Sequence, residues 1–148
     1  MAELRVAARI ACFARELARA LAGNQVATVG SMNFLPNLVN VIPNRVNFTV
    51  DLRNTDESLL RVAEQRLAVF LDQLACREGV TITSRPLARF EPVIFDAALS
   101  ARIADHAQRL GYSCRPMTSG AGHDAQMLAR LCPSAMIFVP SVNGISHN

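Results

Sequence analysis

The sequence predicts a mixed α/β chain in two pieces: an α+β unit up to about residue 90 and, from about residue 91, part of a larger α/β sheet. Three observations carry this reading. Two amphipathic helix patterns flank strand patterns in the first piece. Between them, Arg45 to Arg53 alternates strictly between apolar and polar residues. The second piece has only one strongly apolar strand pattern, Ala135-Met136-Ile137-Phe138-Val139-Pro140, which is too little to close a core of its own.

Composition narrows the classes. Of the 148 residues, 51% are hydrophobic and 18% charged, so a packed core is expected and disorder is not. The net charge of +3 is mild, and no basic run is interleaved with aromatics, which argues against a nucleic-acid partner. No apolar run approaches the length of about 20 residues that a bilayer requires, so no membrane role is expected. The Ala-rich start is interrupted by Arg5, Arg9 and Arg15 and reads as a helix, not a signal peptide. Cys12, Cys76, Cys114 and Cys132 are widely spaced, with no Cys-x-x-Cys pair. They read as buried or incidental thiols of a cytoplasmic protein.

Taken in order, Glu3 to about Leu21 carries apolar residues at Leu4, Ala8, Ala11, Leu17 and Leu21, a helical spacing that Gly23 ends. A strand near Gln25 to Met32 follows. Asn37 to Ile42, Pro43-Asn44 and Arg45 to Arg53 then predict a hairpin, with Pro43 and Asn44 in the centre of a type II turn. In its second strand Val46, Phe48, Val50 and Leu52 share one face, and Asn47, Thr49, Asp51 and Arg53 the other. Thr55 is the expected N-cap of a helix whose stripe is Leu59, Leu60, Ala63, Leu67, Phe70, Leu71 and Leu74, and which Gly79 ends. A last strand spans Val80 to about Leu87. This order of elements is that of a split βαβ, ferredoxin-like sandwich without its first strand.

After the connector Glu91-Pro92-Val93, a helix from Ala97 to Leu110 points Leu99, Ile103, Ala107 and Leu110 inward. His106 lies on or beside that stripe and reads as packing. The other two histidines flank the apolar strand. His147 lies in the loop beyond its C-terminal end, where open α/β sheets place ligands, although a surface loop histidine fits the position as well. His123 follows the bend Ser119-Gly120-Ala121-Gly122 and precedes a helix start. Free backbone N–H groups there favour an anion; the plainer reading is a capping segment with Asp124 as cap. Gly120 and Gly122 do not form a phosphate loop, because no Lys-Ser/Thr follows. Arg53, read from its strand alone, pairs with Asp51 or Asp56.

Three motifs now occur in order: Pro36-Asn37-Leu38-Val39-Asn40-Val41-Ile42-Pro43 with Asp51-Leu52-Arg53, then Ser119 to Ala125, then Pro140-Ser141 with Gly144-Ile145-Ser146-His147-Asn148. Together they resemble the zinc-dependent amidohydrolases that include N-carbamoyl-L-amino-acid hydrolases, allantoate amidohydrolases and β-ureidopropionases. The likeness runs over nearly the whole chain. It implies that residues 1–90 are most of a lid domain that forms a homodimer, and that residues 91–148 are the C-terminal part of an α/β metallohydrolase catalytic domain. It further implies a centre of two divalent ions, zinc or manganese, with His147 as the last metal ligand. His123 then serves in catalysis and lines the substrate pocket. Asn40 and Arg53 bind a small ureido or carbamoyl acid, Arg53 facing its carboxylate.

Chemistry is compatible with those roles. Neutral imidazole is an ordinary zinc ligand, and guanidinium offers a planar fork for a carboxylate. The resemblance also implies that the bridging carboxylate, the other ligands, the general base and a lid histidine lie ahead of this stretch, so these 148 residues alone are expected to hydrolyse nothing. On the hairpin reading, Asn40 lies opposite Asn47 and about 20 Å from Arg53. No small acid spans that, so the two residues are expected to serve different active sites of a dimer. The alternatives are a non-catalytic dimerisation module and a related hydrolase of peptides or N-acyl amino acids.

Overall fold

The computed structural model describes residues 2–21 and 24–145. The chain divides into two compact units, Met1–Pro92 and Val93–Asn148, each described by itself.

In the first unit, helix α1 (Ala2–Ala20) precedes strands β1 (Val26–Leu35) and β2 (Arg45–Arg53), and helix α2 (Glu57–Glu78) follows them. The strands pair antiparallel from Val26↔Arg53 to Leu35↔Arg45, with a bulge between Val29 and Ser31. The bulge at Gly30 corrects the parity of β1. Ala27 and Val29 before it and Met32 and Phe34 after it are all half-buried, although their numbers change from odd to even. One extra residue turns the remainder of the strand over, so that both halves offer their apolar side chains to the same layer.

That layer packs on α1 and α2. Val6, Ile10 and Leu74 form one buried cluster with Phe48, Val50, Leu67, Phe70, Leu71, Val80 and Ile82 against it. Leu17, Leu21 and Ala63 form a second, with Phe13, Leu52, Val62 and Leu67. The rings of Phe13 and Phe70 stack at 3.9 Å. Glu78, whose side chain is only 6% exposed, takes ion pairs from Arg5 and Arg9, which ties α1 to the end of α2.

Several expectations are corrected here. Helix α1 exists, but its buried face is Val6, Ala7, Ile10, Ala14, Leu17 and Leu21, while Leu4 and Ala8 are exposed. The Gly23 stop lies outside the described residues. Asn37 to Ile42 is not a strand. All of β2 is already paired with β1, so no register remains for it on that edge, and residues 36–44 form a loop closed by Asn44 N–H donating to Leu35 O at 2.8 Å. Asn44 has no positive φ, which removes the type II turn. Asn33, not Asn40, faces Asn47.

Helix α2 is capped by Asp56, not Thr55. The Asp56 carboxylate accepts from Ser58 N and Leu59 N at 2.8 and 3.2 Å, while Thr55 Oγ1 accepts from Asn24. Gly79 ends the helix at φ 63°, ψ 35°, and its N–H donates to Ala75 O, a left-handed cap that favours glycine. Val80 to Leu87 makes no ladder. In a split βαβ sandwich the last strand pairs with the first, and among the described residues no strand precedes α1. Val80 and Ile82 still pack against the core. Arg89 binds Glu57 and Glu64, holding the segment that follows against α2.

The second unit contains α3 (Ala97–Arg109), the single-turn α4 (Ala125–Leu128) and a 3-10 turn at Val142–Gly144. Asp96 caps α3 by accepting from Leu99 N at 2.7 Å, and its own N–H donates to Ser134 O at 2.9 Å. No described residue of this unit is buried. Leu110 is 73% exposed and His106 is exposed, so neither packs as expected. Ala135 to Pro140 forms no ladder, and Ile137 and Val139 are 69% and 78% exposed. A β-strand needs a partner for its backbone, and among the described residues this segment has none. The four cysteines are free and exposed, which corrects the buried reading.

Candidate functional site

Arg53 ends β2 on the polar face of the ladder, the side away from the clusters. The chain around it is held by a buried amide pair. Asn54 Nδ2 donates to Gln25 Oε1 at 2.9 Å, Gln25 Nε2 donates to Val26 O at 3.0 Å, and Asn54 Oδ1 accepts from Asp56 N at 3.0 Å. These bonds join the start of β1, the end of β2 and the cap of α2, so Arg53 projects from a fixed corner. Periodicity carries no signal for this pair; Gln25 reads only as the first residue of its strand.

The Arg53 guanidinium grips the Asp51 carboxylate, two residues back on the same strand face. Nε donates to Oδ1 and Oδ2 at 3.0 and 3.2 Å, and an Nη donates to Oδ2 at 2.6 Å. The ion pair with Asp51 that the strand alone suggested is therefore present. Both side chains are about half exposed. The hydrogen bond from Arg53 holds the Asp51 carboxyl below its ordinary range, and the same bond raises Arg53.

Asn40 is exposed in the 36–44 loop, which leaves from the opposite end of the ladder. The nine paired residues of β2 separate that end from Arg53 by about 26 Å at a strand rise of about 3.3 Å. The wide spacing thus follows from the length of β2, not from a hairpin at Pro43-Asn44. An apolar groove of this unit lies elsewhere, between α1 and α2, lined by Phe13, Leu17, Val69 and Phe70.

In the second unit, His123 is exposed just ahead of α4. Its Nδ1 accepts from Ala125 N at 3.2 Å, and its N–H donates to Gln126 Oε1 at 3.4 Å. Asp124 makes no side-chain cap, so the imidazole takes the role expected of Asp124. The anion reading of this bend has fewer donors to draw on than the sequence suggests. The N–H groups of Ala121, His123, Ala125, Gln126 and Met127 already have acceptors within the segment. His147 lies outside the described residues. Among the described residues, no three His, Cys, Asp or Glu side chains come together to hold a metal ion.

Comparison with known proteins places these features. The model of peptidase family M20/M25/M40 matches residues 3–148. An allantoate amidohydrolase of Bacillus subtilis (strain 168) is 39% identical over 82% of this chain and 29% of its own length. An N-carbamoyl-L-amino-acid amidohydrolase of Rhizobium meliloti is 41% identical over 83% of this chain and 30% of its own. Among solved structures, an amidase of the hydantoinase/carbamoylase family from Burkholderia vietnamiensis is 39% identical, with a TM-score of 0.89 over 98% of this chain and 35% of that one. The chain therefore spans about a third of the length of the proteins it matches. With a family match over almost every residue and a mixed α+β architecture shared with these amidases, the chain belongs to peptidase family M20/M25/M40.

Proposed function

We propose that this chain supplies substrate-binding parts of an amidohydrolase that cleaves a linear C–N bond in an N-carbamoyl-L-amino acid or an allantoate-like ureido acid. The relatives bearing those names support the reading. Residues 1–90 act as a lid and dimerisation domain, and residues 91–148 as the C-terminal part of the catalytic domain.

The observation that carries the reading is Arg53. Its fork already holds a carboxylate in charge-assisted geometry on an exposed sheet face, with distances of 2.6 and 3.0 Å. A substrate carboxylate asks for the same chemistry. Asn40 offers both an amide donor and a carbonyl acceptor, which matches a ureido group. Because about 26 Å of strand separates the two ends of β2, Asn40 and Arg53 serve different active sites of a homodimer.

Divalent metals are typical of the family, and His147 is the ligand this chain contributes. Carboxylate and imidazole donors from the part of the relatives that this chain does not span complete the centre. When bound, the metal supplies a hydroxide nucleophile near neutral pH. Arg53 and Asn40 orient the acid, and His123 lines the pocket.

The test is made in the full-length enzyme. Arg53→Lys, which keeps the charge and removes the fork, should raise KM for an N-carbamoyl amino acid about tenfold or more and leave a neutral amide analogue unaffected. An unchanged KM for the acid overturns the assignment. The 148-residue chain alone should release no ammonia from N-carbamoyl substrates with zinc or manganese, and turnover would overturn its role as a part. Asn40→Ala and Arg53→Ala subunits mixed into heterodimers should regain activity that neither parent has; no recovery counts against sharing.

A further inference from the structure

The turn His123-Asp124-Ala125-Gln126 is a capping box with an imidazole where a hydroxyl usually stands. In the usual form, an N-cap Ser or Thr accepts from a backbone N–H of the first turn, and a Glu or Gln three residues on accepts from the N-cap N–H. Here His123 Nδ1 accepts from Ala125 N at 3.2 Å, and Gln126 Oε1 accepts from His123 N at 3.4 Å. Gln126 N donates back to His123 O at 2.9 Å, which closes the turn.

An imidazole nitrogen that accepts a hydrogen bond carries no proton. The proton of the neutral ring is then on Nε2. Among the described residues Nε2 has no hydrogen-bond partner, and the ring is exposed. We propose that this box is a tautomer lock that makes His123 a neutral Nε2–H donor to an oxygen of the bound acid or ureide, with Gln126 as its positioning residue. A metal ligand or a general base acting through Nε2 needs a lone pair there. That form moves the proton to Nδ1, sets it against the Ala125 N–H and breaks the box.

The identity of the ligand rests on the amidohydrolase reading; the tautomer does not, so two measurements separate them. Long-range nitrogen–proton correlation spectra of the protein at mildly alkaline pH should show the Nε2–H form for His123. His106, exposed and without such a bond, should average the two forms. A Nδ1–H form at His123, or the same average as His106, overturns the lock. Gln126→Ala should move His123 toward that average, and an unchanged spectrum removes Gln126 from the account.

In the full-length enzyme, His123→Gln places an amide N–H near the Nε2 position and His123→Asn near Nδ1. Loss of a hydrogen bond to a charged group is worth about tenfold or more. The Gln variant should keep KM within about threefold, and the Asn variant should raise it by that tenfold or more. Equal losses in both overturn the donor role even where the spectra support the lock.

Discussion

The two units differ most in what lies beneath their surfaces. In Met1–Pro92, Ile10 and Ala63 are 0% exposed, and both helices clamp a two-stranded sheet. In Val93–Asn148 a capped helix forms, yet no described residue is buried, and Leu131, Val139 and Val142 are 85%, 78% and 84% exposed. Helices satisfy their backbone locally, whereas an apolar strand pattern needs neighbouring strands. The comparison teaches that a correct local pattern becomes structure only where its partners are at hand.

The largest effects should come from testing that contrast directly. Ile10→Ala should cost about 2–5 kcal/mol in denaturant unfolding, whereas Ile137→Ala should change stability by less than about 0.5 kcal/mol. Equal losses would break the comparison. Gly79→Ala should cost roughly 1–2 kcal/mol, because its φ of 63° is left-handed; Gly120→Ala, which has open space and no positive φ, should be near neutral by the same measurement.

Asp56→Ala should destabilise α2 while Thr55→Ala should not, which sharpens the choice of cap. The Asp56 carboxyl is held below its ordinary range by the Ser58 hydroxyl first and then by the Leu59 and Ser58 N–H groups. Its stabilisation is therefore complete above the unfolded value of about 3.9 and is lost as pH falls through the lower folded value. Asp56→Asn keeps an acceptor without the charge, so acid titration of its stability should be flatter than that of the parent. The exposed Asp51–Arg53 pair adds little to stability: Arg53→Gln should alter it by less than about 1 kcal/mol.

Much of the first unit was legible in its residues. The Leu60, Ala63, Leu67, Leu74 stripe and the Gly79 stop describe α2 as it stands, and the alternation of β2 sorts its faces correctly. The face of α1 was misread because alanines match almost any helical stripe; Val6 and Ile10 carried the stronger signal. The strand partner of β2 was misplaced because Pro43-Asn44 looks like a tight turn, while the bulge at Gly30 hides the continuity of β1. At the candidate site, the Asp51–Arg53 pair followed from spacing two apart on a strand. The capping box at His123 did not, since an imidazole stands outside the Ser/Thr pattern, although Gln126 three residues on was its visible half.

Native-state hydrogen exchange tests the contrast between the units most directly. Amides of α1, α2 and the β1–β2 ladder should exchange only through global unfolding, while those of Ala135 to Val139 should exchange at nearly unprotected rates. Protection of Ala135 to Val139 equal to that of α2 would contradict the account.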